Sequence, residues 1–240
     1  MISRLSSLTI FFPFYNDAQT VEKMISDAFE YGMRITEKLE VIAIHGGRSR
    51  DNTWGEIQRM KKKYPRLKVI DKSDNTDGYG VIRYGFKAAT HEWVFYTDGD
   101  GQYSVTDLLK LVKKQRETQA DVVNGYKLKR KDSTKRKILG SFFQHLHRLL
   151  TFSPIKDIHC DFRLIRSRFT SQIFWQTRGS TVISELILKL QAQDVIFAEV
   201  QIQHRKRKYG RSNYSVLKLI KESLQEILWS MCFRLKIVLM

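Results

Sequence analysis

Strand-like runs alternate with helical patterns along the first half of the chain, and this alternation narrows the choice of fold more than any other feature. Leu8–Phe12, Leu39–His45, Leu67–Ile70 and Trp93–Thr97 are short runs dominated by apolar, β-branched and aromatic residues. That composition over that length is strand chemistry. Between the first two runs, Val21, Met24, Ile25, Ala28 and Phe29 share one helical face, with Asn16 or Asp17 available as the N-cap. A second helix spans roughly Asn52 to Tyr64, stopped by Pro65 because the residue before proline avoids helical geometry. A third ends near Thr90. Helices linking successive strands predict βαβ units on a mostly parallel sheet, with ligands bound beyond the carboxyl ends of the strands. Three polar turns reach that edge: Pro13–Asp17, Gly46–Asp51 and Asp98–Gln102.

The second half continues with a helix carrying Val105, Leu108, Leu109, Leu111 and Val112, then a strand over Asp121–Tyr126. A basic run, Lys127–Lys137, opens a helix with an apolar arc from Ile138 to Leu150. The polar turn from Asp157 feeds another strand through Ile165, Ser180–Gln193 reads as a helix, and Val195–His204 as the last strand. A basic, aromatic loop follows to Tyr214. The expected organisation is one α/β domain over 1–214 and a C-terminal amphipathic helix over 215–240.

Net charge is +17 over 240 residues, so an anionic partner is expected. No nucleic-acid motif accompanies the charge, which leaves phosphorylated substrates and an anionic membrane surface. Two cysteines, Cys160 and Cys232, give no disulfide framework and point to a reducing compartment. His159 and Cys160 lack a second closely spaced pair, which argues against zinc. No run reaches the ~18 apolar residues of a membrane span; Arg234 and Lys236 interrupt the apolar C-terminus, which reads as an interfacial or packed helix. Neither a Gly-x-Gly-x-x-Gly turn nor a Walker A loop is present, against dinucleotide-binding and P-loop enzymes.

The acidic loop carries the chemistry. Asp98, Asp100 and Gln102 occupy alternate positions separated by Gly99 and Gly101. In an extended segment they would converge on one point. Such oxygen ligands suit Mg²⁺ or Mn²⁺, which complete their shells with water and phosphate. A plain polar turn is the competing reading of the isolated stretch.

Thr97–Tyr103, Asp157–Arg166 and Arg207–Tyr214, in this order and spacing, resemble the family 2 glycosyltransferases of GT-A fold, and most of all their polyprenyl-phosphate branch. The resemblance covers about Leu8 to Trp229. It implies a Rossmann-like, mostly parallel sheet flanked by helices, and Mg²⁺ or Mn²⁺ held by Asp98, Asp100 and Gln102. It places Pro13, Tyr15, Asn16, Asp17 and Asp98 at the nucleotide, with Asn75, Gly78 and Gly80 in a donor loop. Lys127, Arg136, Lys137, Ser141, Arg207 and Ser212 become candidates for the acceptor phosphate, and Asp100, Arg207 and Asp157 for catalysis.

Two positions depart from the family pattern. Gly46-Gly47-Arg48-Ser49 stands where Asp-Asp-Gly-Ser is usual, while Asp51 and Thr53 keep the downstream Asp-x-Thr. Asp161 replaces the glycine before Phe162-Arg163. The expected activity is inverting transfer of a sugar from a nucleotide-diphosphate sugar to a polyprenyl phosphate, by a peripheral protein on the cytoplasmic face of a membrane. A phosphate acceptor is already ionised at neutral pH and needs no strong base. The alternatives are a hydroxyl acceptor, with Asp157, Asp161 or Glu185 as base, and a degenerate, non-catalytic relative that binds anionic lipid or a partner enzyme; a membrane-protein partner is a further expectation.

Overall fold

The computed structural model describes residues 4–127, 134–209 and 216–238, with the side chains of 134–139, 216–219 and 236–238 outside that description. Seven strands form one sheet in the order β3-β2-β1-β4-β6-β5-β7. They are β1 (Leu8–Phe14), β2 (Leu39–His45), β3 (Leu67–Asp71), β4 (Trp93–Thr97), β5 (Val122–Lys127), β6 (Phe162–Arg166) and β7 (Phe197–Ile202). All pairings are parallel except those of β6, which runs antiparallel to β4 and to β5. The helices are α1 (Ala18–Ile35), α2 (Thr53–Lys63), α3 (Ile82–Ala88), α4 (Leu108–Thr118), α5 (Thr134–Thr151), α6 (Ser167–Thr170), α7 (Thr181–Gln191) and α8 (Val216–Val238).

The central strands are buried on both faces, and their side chains divide by the two-residue period of a strand. Ile10, Phe12, Val41, Ala43 and Phe95 pack with α1, α2 and α4. Phe11, Ile42, Ile44, Val94 and Tyr96 pack with α3 and α7 on the other face. Each fully buried aromatic or aliphatic side chain contributes roughly 1.5–3 kcal/mol, so these two layers hold the sheet edge that carries the loops. Gly85 lets α3 lie against Phe11, where an added Cβ would stand 2.4 Å from the ring.

Several boundaries shift by one or two residues, the last strand shortening to Phe197–Ile202, and the shift in β1 bears on the site. The first strand runs on through Pro13 to Phe14 instead of stopping at Phe12. Proline has no N–H to donate, but pairing of β1 with β4 ends at Phe11 opposite Tyr96. The Pro13 carbonyl then accepts from the Gly99 amide at 3.2 Å, so the strand loses little by carrying the ring.

The C-terminal helix α8 packs on α5 and α7 through a polar seam. Ser180 and Ser184 donate to Glu222 and Glu226, His147 Nε2 lies 2.9 Å from Ser230 Oγ, and Arg234 Nε donates to the Thr151 carbonyl at 2.9 Å. No helix among the described residues is long and apolar enough to cross a membrane.

Candidate active site

The three expected turns lie side by side at the carboxyl edge of β1, β2 and β4, and hydrogen bonds lock them together. In the first, Asn16 adopts φ +57°, and its side-chain oxygen accepts from the Arg50 amide of the second turn at 2.6 Å. Thr53 Oγ1 accepts from the Asp17 amide at 2.8 Å, and Asp51 accepts from that of Ala18 at 3.0 Å. The Asp-x-Thr segment thus pins the start of α1. Gly47 has φ +146°, and a Cβ there would stand 3.3 Å from the Tyr15 ring. Gly99 is required by packing: a Cβ would sit 2.3 Å from the Phe14 ring and 2.7 Å from the Pro13 carbonyl oxygen.

Between the turns opens a cavity of about 800 Å³, within the usual size range of small-molecule sites. Gly46, Arg48 and the loop Ser73–Thr76 line it beyond β2 and β3, and Asp98 and Asp100 beyond β4, with Arg207, Tyr15, Asp17 and Tyr79 completing the wall. Arg207 reaches the cavity because its loop is tied to the acidic one. The Arg205 amide donates to the Gln102 carbonyl at 2.8 Å, and Tyr103 pairs with His204 as an antiparallel bridge. The Arg207 guanidinium then bonds the Asp100 carboxylate.

Charge is crowded beside the acidic loop. Burial, then the nearby charges of Asp161 and Asp100, push the Asp98 carboxyl well above its ordinary range. Burial also pushes Asp17 up to about 7, opposed by its bond from the Tyr15 amide. Tyr79 donates from its hydroxyl to Asp98 Oδ1 at 2.6 Å. Among the described residues no group of three or more His, Cys, Asp or Glu could ligate a metal by themselves. The donor set instead fits a divalent cation held by Asp98 and Asp100 and completed by phosphate oxygens and water. Such an ion would relieve the carboxylate repulsion that the Arg207 guanidinium and the Gln102 backbone amide meet at Asp100.

Several expected site residues fall elsewhere. Gln102 turns away from the two aspartates: its amide donates to the Arg205 carbonyl at 3.1 Å and lies 3.3 Å from His204 Nε2. The cause is Gly101, whose φ of +72° ends the extended alternation on which convergence depended. Asn16 is a clamp between turns instead of a pocket wall. Lys127 and Asp157, expected at the acceptor phosphate and in catalysis, are buried against each other at 3.5 Å, and Lys127 also donates to the Tyr103 hydroxyl at 3.0 Å. Glu185 is spent on the Gln176 and Thr177 amides and Lys189. Ser141 is exposed on α5, 3.3 Å from His145 Nδ1. Ser212 and the side chains of Arg136 and Lys137 lie outside the described residues.

Sequence reasoning placed Asn75 in the donor loop and noted Arg48 only as a departure from the family pattern; it passed over Tyr79, Ser73, Asp74 and Thr76. The signal for Tyr79 was its position inside the glycine-rich donor loop, between Gly78 and Gly80.

The family model described as glycosyl transferase family 2 matches residues 9–174, which hold β1 to β6 and every pocket residue except Arg207. Curated relatives include undecaprenyl-phosphate 4-deoxy-4-formamido-L-arabinose transferases. That of Pectobacterium carotovorum subsp. carotovorum is 24% identical over 92% of this chain, and that of Pectobacterium atrosepticum 25% identical, also over 92%. The chain spans 66% of the length of each. Among solved structures, mannosyl-3-phosphoglycerate synthase from Rubrobacter xylanophilus superposes with TM-score 0.72 at 15% identity, over 96% of this chain and 74% of that one. Glucosyl-3-phosphoglycerate synthase from Mycobacterium tuberculosis, crystallised with Mg²⁺ and uridine diphosphate, gives 0.68 at 13% identity, over 95% and 79%.

Proposed function

Because the chain belongs to glycosyl transferase family 2, we propose that it transfers a sugar from a nucleoside-diphosphate donor to a polyprenyl phosphate at a membrane surface. The observation that carries the reading is the cavity with two chemically distinct linings. Glycine, Arg48 and a polar loop suit a base and ribose, while Asp98, Asp100 and Arg207 suit a diphosphate. The named activity of the curated relatives supports the lipid-phosphate acceptor.

In the proposed reaction an acceptor phosphate oxygen attacks the anomeric carbon as the bond from that carbon to the donor diphosphate breaks. In-line attack inverts the anomeric centre. The leaving diphosphate gathers negative charge, and the Arg207 guanidinium stands where it meets that charge. A bound Mg²⁺ or Mn²⁺ would supply further neutralisation through Asp98 and Asp100. Tyr79 holds Asp98 in place through its hydroxyl. Arg207 and the basic residues near it serve the acceptor phosphate, while Lys127 is committed to Asp157.

Membrane contact is assigned to the outer faces of α5 and α8. Phe142 and Leu149 on the first, Phe152 just past its end, and Leu224, Leu228, Met231 and Leu235 on the second are exposed. The latter spacing is one helical stripe. Apolar stripes flanked by basic segments suit peripheral binding to an anionic leaflet, and this supports our reading of a protein that works at the cytoplasmic face.

The test is transfer of radiolabelled sugar from UDP- and GDP-sugars to undecaprenyl phosphate in detergent, with Mn²⁺ or Mg²⁺. Lipid-linked product from one donor is expected. Transfer only to a free saccharide hydroxyl would overturn the acceptor assignment.

A further inference from the structure

Asp161 is a carboxylate beside the acidic loop to which the diphosphate site gives no role, and the sheet fixes its place. In the antiparallel pair β4–β6 the last matched residues are Thr97 and Phe162. One step beyond stand Asp98 on one strand and Asp161 on the other, as neighbours across the pair. The order of strands then sets a direction along the sheet edge. The Ser73–Thr76 loop and Gly46 sit past β3 and β2, Asp98 past β4, and Asp161 past β6, on the far side of Asp98.

The surroundings of Asp161 are polar but leave it able to accept. Its Oδ1 lies 3.5 Å from the Tyr96 hydroxyl and 3.5 Å from the Arg163 guanidinium. Both distances are long for direct hydrogen bonds. Arg163 is fully buried and makes shorter bonds elsewhere, to Asn124 Oδ1 at 2.6 Å, the Tyr96 hydroxyl and the Ile158 carbonyl. The Asp161 side chain keeps 15% of its surface accessible while that of Arg163 keeps none. A carboxylate placed there is thus backed by a cation, bonded by the Tyr79 hydroxyl of the cavity wall, and still partly accessible beside Asp98.

We propose that Asp161 is a specificity-determining residue of the donor site, accepting a hydrogen bond from a hydroxyl of the transferred sugar. This inference rests on the donor-site reading above: a nucleotide whose base lies at β2 and β3 and whose diphosphate lies at Asp98 extends its sugar toward β6. Where the family pattern has glycine, this chain presents a charged acceptor, and sugars able to donate to it are favoured.

Calorimetry on wild type, Asp161→Asn and Asp161→Gly tests this, using UDP, GDP, UDP-glucose, UDP-N-acetylglucosamine and GDP-mannose with Mn²⁺. The quantity read is the ratio of sugar-conjugate to parent-nucleotide affinity in each protein. The inference expects nucleotide binding no weaker than in wild type, since the charge that disfavours ionised Asp98 is removed, and, for at least one conjugate, a ratio lowered on the order of tenfold in both variants, the size of one lost hydrogen bond to a charged group. Equal weakening of nucleotide and conjugate would make Asp161 structural and overturn the inference, as would unchanged ratios for every conjugate. Unchanged ratios with a lost ionisation in the pH profile of transfer would make it a base and overturn the inference too. No nucleotide binding by wild type would instead overturn the donor-site reading, and this inference with it.

Discussion

Replacing Glu226 by glutamine should stabilise the protein at alkaline pH and leave it nearly unchanged at acid pH. The carboxyl lies in the seam between α8 and α7, 3% exposed, bonded by the Ser184 hydroxyl. Burial pushes it up to about 8 from an ordinary 4.5, with the Ser184 bond opposing. Below about pH 4.5 the group is protonated whether the chain is folded or not, and it costs nothing. Between 4.5 and 8 the unfolded chain ionises while the folded one holds its proton, so stability falls as pH rises; above 8 the loss is complete. The span from 4.5 to about 8 corresponds to about 4–5 kcal/mol,. Relaxation of the seam around the buried charge offsets part of this, so about 2–4 kcal/mol is expected. Urea denaturation of wild type and Glu226→Gln from pH 5 to 9 reads the difference. The two should agree within about 1 kcal/mol at pH 5 and diverge by about 2–4 kcal/mol at pH 8.5 in favour of glutamine. Parallel stability curves across that range would refute the buried-proton argument.

Gly99→Ala forces a methyl group into the Phe14 ring and the Pro13 carbonyl; it should cost about 1–3 kcal/mol in stability and weaken nucleotide binding by displacing Asp98 and Asp100, as read by thermal melts and calorimetry. Arg207→Ala removes the cation at Asp100 and should lower donor affinity by about 10- to 100-fold, as the loss of a charge-assisted contact worth about 1.5–3 kcal/mol, while the melting temperature stays within a few degrees. Leu228→Asp with Leu235→Asp should abolish sedimentation with anionic liposomes without affecting nucleotide binding, because both residues are exposed on one face of α8. High salt should also release the wild type, since each basic residue near an anionic leaflet is worth only about 1 kcal/mol.

The strands were legible because those of a parallel sheet are buried on both faces and read as unbroken apolar runs. Trp93–Thr97 and Leu39–His45 matched to the residue. Asp98 and Asp100 were legible for a local reason, since a strand end followed by glycine-spaced carboxylates places them at the ligand edge. Gln102 was not, because its direction depends on the left-handed turn at Gly101, which the residue types permit without requiring. The pairing of Lys127 with Asp157 joins groups thirty residues apart on different elements, and no periodicity reports it. Tyr79 was hidden differently: it sits at a short 3₁₀ turn, Gly78–Val81, where no hydrophobic period marks which way a side chain faces. Asp161 was visible as an odd residue, but only its register opposite Asp98 shows that it stands beside the acidic loop.

The central claim, that Asp98, Asp100 and Arg207 form a metal-dependent diphosphate site, is tested most directly by titrating UDP and GDP into the protein with and without Mn²⁺. One nucleotide should bind only when the ion is present, and Asp100→Asn should abolish that binding while the melting temperature is retained. Binding of equal strength without the ion and in Asp100→Asn, or no binding of either nucleotide under any condition, would contradict it.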